Sequence, residues 1–114
     1  MPKKKAKKLP AVRVVLVTAP PHEAERIARA LVEERLAACA NIVPGLTSLY
    51  WWEGKVNRDA EALIILKTPP RRVAKLLKRL KELHSYTVPE FLALPVVEAN
   101  PDYAKWVKAE TARG

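Results

Sequence analysis

The 114-residue chain is 49% apolar and 29% charged, the balance of one globular domain rather than of a disordered segment. Its apolar run at residues 62–66 falls far short of the roughly 20 residues that a membrane-spanning helix needs, and its one cysteine, Cys39, excludes an intrachain disulfide and suits a reducing compartment. The net charge of +9 is local, since five lysines precede Leu9, residues 71–82 carry six basic side chains and one acidic, and the remainder is close to neutral.

Residues 1–10 read as a flexible lysine-rich tail ahead of a single domain at residues 11–114. No long apolar segment follows the lysines, so the tail does not read as a secretory signal, and a cytoplasmic protein without a membrane partner is expected. Such a tail is a solubilising extension or a nonspecific contact for nucleic acid. The second reading is disfavoured because the strands lack the base-stacking aromatic pattern of an RNA-binding sheet.

Residues 12–18 (VRVVLVT) are β-branched and predict a strand. Pro20 and Pro21 end it and open a helix over residues 22–36, where Ala24, Ile27, Ala28, Leu31 and Val32 recur at helical spacing. Residues 40–52 predict a long strand bent at Pro44-Gly45. A proline there implies an edge position or a bulge, because it donates nothing to the ladder. Glu53-Gly54-Lys55 predicts a hairpin turn, and residues 60–68 the returning strand.

Pro69 and Pro70 open a second helix lined by Val73, Leu76, Leu77, Leu80 and Leu83. Residues 91–97 predict a fourth strand. Asn100 then caps a terminal helix, with Pro101 at its first position and Asp102 in its first turn. The order β-α-β-β-α-β plus a helix is the α+β, ferredoxin-like arrangement, with two helices on one face of an antiparallel sheet.

That arrangement leaves one sheet face short of cover. Val12, Val14 and Leu16 point one way while Val15 and Val17 point the other, and residues 63–66 are equally apolar on both sides. The hairpin is also longer than the helices beneath it, so Tyr50, Trp51 and Trp52 overhang the body as an apolar patch. Self-association through these aromatics is expected.

The chain resembles the CutA family of divalent-cation tolerance proteins over about residues 12–112. The motifs are LVEERLAACANIVPG at residues 31–45, SLYWWEGK at 48–55, Lys67-Thr68, LHSYTVPE at 83–90, ALPV at 93–96 and NPDYAKW at 100–106. Their order and spacing together carry the match. The resemblance implies a homotrimer of ferredoxin-like subunits, PII-like in architecture, and a link to copper and other divalent cations. One departure is visible. The family often has His-Pro-Tyr where this chain has His84-Ser85-Tyr86, and losing the proline is expected to loosen the loop.

Cys39 and His84 are the natural soft ligands for copper or zinc. Glu61 and Glu90 add oxygen, or a neighbouring subunit completes the shell. Each has a structural alternative. Cys39 sits among apolar residues as a small core side chain would, and His84 ends a helix, where a cation suits the dipole. Lys67, His84 and Tyr86, with Trp52, form a second candidate: an interfacial pocket for an anion or small metabolite. No obligatory cofactor is implied. Cys39 and His84 lack the spacing of a nucleophile and base, and three glycines make no phosphate loop, so no enzymatic activity is expected.

Overall fold

The computed structural model describes residues 8–113. Lys3, Lys4, Lys5 and Lys7, and with them most of the tail expected at residues 1–10, lie outside the described residues.

The chain runs β1 (Arg13–Ala19), α1 (Pro21–Glu33), β2 (Cys39–Trp52), β3 (Lys55–Thr68), a 3-10 turn (Pro70–Arg72), α2 (Val73–Leu83), β4 (Leu92–Pro95) and α3 (Pro101–Glu110). The four strands form one antiparallel sheet in the order β2-β3-β1-β4. This is the ferredoxin-like order expected from the sequence.

Alternation along the strands divides the sheet into two unlike faces. Val15, Val17 and Ala19 of β1 and Ala62, Ile64 and Leu66 of β3 are buried against Ile27, Leu31, Leu76 and Leu80 of the two helices. The residues between them, Val14, Leu16, Leu63, Ile65 and Lys67, are only partly covered. They belong to an open face, and Leu92 and Leu94 of β4 join it opposite Leu16 and Val14. α3 leans on the open face at one end, where Tyr103 meets Cys39. It is pinned there by Arg72, whose guanidinium donates to the Thr111 carbonyl at 2.8 and 3.0 Å.

Element ends differ from expectation for local reasons. α1 stops at Glu33, short of residue 36, because Arg35 adopts φ +63° and reverses the chain. β3 begins at Lys55, earlier than residue 60, because Glu53 (φ +50°) and Gly54 (φ +79°) alone make the turn and Trp52 pairs directly with Lys55. Positive φ at both central residues gives the hairpin the twist of its strands, so residues 55–59, polar apart from Val56, stay in the ladder. β4 ends at Pro95, not 97, as a proline has no N–H to extend the pairing. The bend in β2 is a bulge: Pro44 and Gly45 fall between Val43, paired with Leu63, and Leu46, paired with Glu61. Asn100 caps α3 as expected, accepting from the Asp102 N–H at 3.0 Å.

At ~3.3 Å per residue the 14-residue strands of the hairpin span about 46 Å, against about 20 Å for the 13-residue α1. The chain is accordingly elongated, 57 × 33 × 23 Å. Leu49, Trp51, Trp52 and Val56 are exposed on the overhang, Trp51 at 75%.

Candidate functional site

A cleft of about 670 Å³ opens on the uncovered sheet face, between the hairpin and the loop that follows α2. The hairpin contributes Ser48, Tyr50, Trp52 and Glu61; β1 contributes Thr18; the loop contributes Ser85, Tyr86, Thr87, Val88, Pro89 and Glu90. Glu61 lies on the open face because it alternates with Ala62, which faces the helices.

Three consecutive residues tie the loop down. His84 Nε2 donates to the Thr18 carbonyl at 2.8 Å, and its Nδ1 accepts the Tyr86 N–H at 3.1 Å. These partners assign the neutral ring with its proton on Nε2. Ser85 Oγ donates to Glu23 Oε2 at 2.5 Å. Tyr86 Oη donates to Glu61 Oε2 at 2.9 Å, and its ring lies 4.6 Å from that of His84, centroid to centroid. These contacts tether the loop that the absent proline was expected to leave looser. His84 already holds the extended backbone (φ −83°, ψ 139°) that precedes a proline, and the Ser85 hydroxyl adds an anchor that proline lacks.

The charged side chains lining the cleft are carboxylates only, Glu61 and Glu90. Glu61 is 5% exposed. No Lys, Arg or His among the described residues forms an ion pair with either of them. Desolvation, and then the negative charge of Glu61, push the Glu90 carboxyl above the usual range. Desolvation and the hydrogen bond to Glu61 push the Tyr86 phenol well above its ordinary value. Tyr50 is raised chiefly by its bond to Asp59, across the hairpin.

The candidate residues from the sequence thus separate into groups. Glu61, Glu90, Tyr86, Trp52 and Tyr50 come together in the cleft. Cys39 and Lys67 pair across β2 and β3 at the far end of the open face; six residues along β3 separate Lys67 from Glu61, roughly 20 Å. Lys67 there donates to Asn41. Cys39 Sγ lies 3.3 Å from Tyr103 Oη, whose phenol is pushed up to about 12 by desolvation and by Cys39. His84 is not beside Cys39, and both its ring nitrogens are engaged. Trp51 alternates with Trp52 and faces away from the cleft.

No cluster of three or more His, Cys, Asp or Glu groups able to hold a metal occurs among the described residues. The anchors missed in the sequence are Glu23 and the Thr18 carbonyl. Glu23 is 62 residues from Ser85 and reads as an ordinary acidic residue in a first helical turn, so no sequence signal marks it.

Residues 13–110 match the family described as CutA1 divalent ion tolerance protein. The chain is 56% identical over 99 residues to the divalent-cation tolerance protein CutA of Thermus thermophilus, a match covering 86% of this chain and 96% of the relative. It is 50% identical over 99 residues to the chloroplastic protein CutA 1 of Oryza sativa subsp. japonica, covering 86% of this chain but only 56% of that longer relative. The solved structure of the divalent cation tolerance protein from Thermus thermophilus aligns with a TM-score of 0.85 at 53% identity, over 88% of this chain and 98% of that one. A structure from Nostoc sp. PCC 7120, described as a PII-like protein CutA in apo form, aligns at 0.83 and 39% identity, over 87% and 96%. With the sheet order, the long hairpin and the matched span in agreement, the chain belongs to the CutA1 family of divalent ion tolerance proteins.

Proposed function

We propose that this chain is a non-enzymatic, self-associating cation-binding module, a homotrimer that contributes to divalent-cation tolerance by holding cations in the cleft beside its hairpin. The observation that carries the reading is Glu61: a carboxylate 5% exposed, lining a cleft, with no basic side chain of the described residues paired to it. Removing a carboxylate from water costs several kcal/mol unless a cation compensates. The cation is therefore expected from outside the chain.

Self-association follows from the overhang and from the partly covered sheet face, both of which a second copy shelters. Two carboxylates from one chain leave a divalent ion to complete its shell with water or with groups of a neighbouring copy. Carboxylates favour harder ions, while copper favours nitrogen and sulfur, so copper is one member of the series to be tested. The non-enzymatic reading is the one we favour because Cys39 bonds with the Tyr103 hydroxyl rather than with a histidine that would serve as its base. The alternative is a PII-like regulatory module for a small organic ligand, favoured by a cleft volume well beyond that of an ion.

Solution mass combined with calorimetric titration of Mn²⁺, Zn²⁺ and Cu²⁺ tests the proposal. A multimer whose divalent affinity falls in Glu61→Gln and Glu90→Gln is the expected result. A stable monomer, or affinities unchanged in both variants, would sink it.

A further inference from the structure

The ion pairs among the described residues take their cation from arginine or histidine, and none takes it from lysine. The arginines also claim the carboxylates of α1 and α2 and that of Glu34 between them. Arg26 pairs with Glu23, Arg29 with Glu25 and Glu33, and Arg79 with Glu34 and Glu82. Lys75, Lys78 and Lys81 are left as exposed charges with no ion pair among the described residues. They stand three residues apart on α2. Arg71, which donates to the Thr111 carbonyl at 2.9 Å and pairs with no carboxylate of the described residues, continues the stripe past the helix start. Self-association through the open sheet face and the hairpin does not call on this surface, because α2 buries Leu76 and Leu80 against the sheet and its lysines project away from it. A second basic feature meets the stripe. Arg13 stands opposite Thr68, just before the prolines that lead into α2, and five lysines precede Leu9, so the lysine-rich segment enters the fold beside the Arg71 end.

A row of uncompensated lysines attracts a polyanion, and the residues around it decide which. The other exposed residues of α2 are Ala74 and Glu82, so no aromatic or large aliphatic side chain is placed to enter a bilayer. A flat anionic surface would also meet the exposed Glu25 and Glu33 of α1. A narrow charged polymer follows α2 alone. From Lys75 to Lys81 the helix rises roughly 9 Å, a length over which a duplex presents about five phosphates. We propose that α2, together with the lysines of the N-terminal segment, binds the phosphate backbone of a duplex nucleic acid without reading its bases. Backbone contacts need no stacking platform, so strands that lack one are compatible with this role. The inference is independent of the cleft.

The test is fluorescence anisotropy of the assembled full chain with a short labelled DNA duplex, in salt from about 50 to 200 mM. Binding that weakens steeply with salt is expected, with the same affinity for two unrelated sequences. In Lys75→Gln/Lys78→Gln the log–log salt slope should become shallower by about 0.9 for each lysine removed. Lys55→Gln/Lys105→Gln removes the same charge from the hairpin tip and α3 and should keep the wild-type slope. All four side chains are exposed, so both variants should fold and keep the wild-type solution mass. No binding at the lowest salt overturns the proposal. Equal slopes in the two variants also overturn it, since they would report net charge and not a surface. So does binding that is lost on neutralising Lys3, Lys4, Lys5 and Lys7 but unchanged in the α2 variant. Tighter binding to phosphatidylserine vesicles or to polyglutamate than to the duplex would give the surface to a membrane or an acidic peptide instead.

Discussion

Ser85 Oγ donates to Glu23 Oε2 at 2.5 Å, tying the loop after α2 to the first turn of α1. Arg26 holds the other oxygen of the same carboxylate at 3.1 Å, so Glu23 is the fixed point from which one wall of the cleft is positioned. Hydrogen bonds to charged groups contribute about 1.5–3 kcal/mol, and the exposure of Ser85 brings this one below that range. Ser85→Ala should lose about 1 kcal/mol in denaturant unfolding and accelerate amide exchange at residues 84–88. Exchange rates indistinguishable from wild type would show that the loop is held by other contacts.

Glu61→Gln keeps the shape of the side chain and an acceptor for Tyr86, and removes a buried charge without a counter-ion. Its unfolding free energy should be unchanged or higher by up to about 1 kcal/mol, since an uncompensated buried charge opposes folding. Cation affinity should fall at the same time. A variant destabilised by more than about 1 kcal/mol would mean that the carboxylate is already compensated within the fold.

Glu90 contributes to the pH dependence of stability. Its folded-state pKa is raised, first by desolvation and then by Glu61, so the folded chain keeps this proton to higher pH than the unfolded chain does. Its contribution to stability is complete below the unfolded carboxyl value of about 4.3 and is lost as pH rises through the raised value. Cation binding runs the opposite way, weakening on acidification through the same window. Thermal melts and titrations from about pH 4 to 7 should show a flatter stability profile in Glu90→Gln. A profile identical to wild type counts against this assignment.

His84 acts through hydrogen bonds at both ring nitrogens. His84→Ala leaves the Thr18 carbonyl and the Tyr86 N–H without their partner and should cost about 2–3 kcal/mol. Cys39→Ser, at the other end of the open face, should leave divalent-ion affinity within about twofold, which is within the scatter expected of a distant, independent site. A large loss of metal binding in folded Cys39→Ser protein would return Cys39 to the ligand set.

Trp51 is 75% exposed at the hairpin tip. Trp51→Glu should shift the sedimentation mass toward that of a single chain at micromolar concentration, because a charge buried in an interface is strongly disfavoured. Retention of the wild-type mass would place the self-association surface elsewhere.

Elements with a strong local signal were legible in the sequence: the apolar spacing of α1 and α2, the Asn100 cap, and the two-sided apolar pattern of β1 and β3. Boundaries were read less accurately where one backbone angle or one missing N–H decides them, as at Arg35, at the Glu53-Gly54 turn and at Pro95. Grouping residues was harder still. Glu90, Tyr86 and Trp52 stand in the family motifs, but so do Cys39, Lys67 and His84, while Glu61 stands in none, and no periodicity separates the two sets.

By itself, then, the sequence determined the order of the elements and the face each side chain takes, because the 2.0 and 3.6 periods are properties of the local backbone. Only the tertiary structure decided that the carboxylates and aromatics share a cleft while Cys39 and Lys67 lie about 20 Å away, and that a serine in place of a proline is anchored by a glutamate 62 residues distant. The physical reason is that strand register sets position along the sheet and loop closure sets distance across it. Both depend on pairings between segments far apart in the chain, which no local pattern encodes.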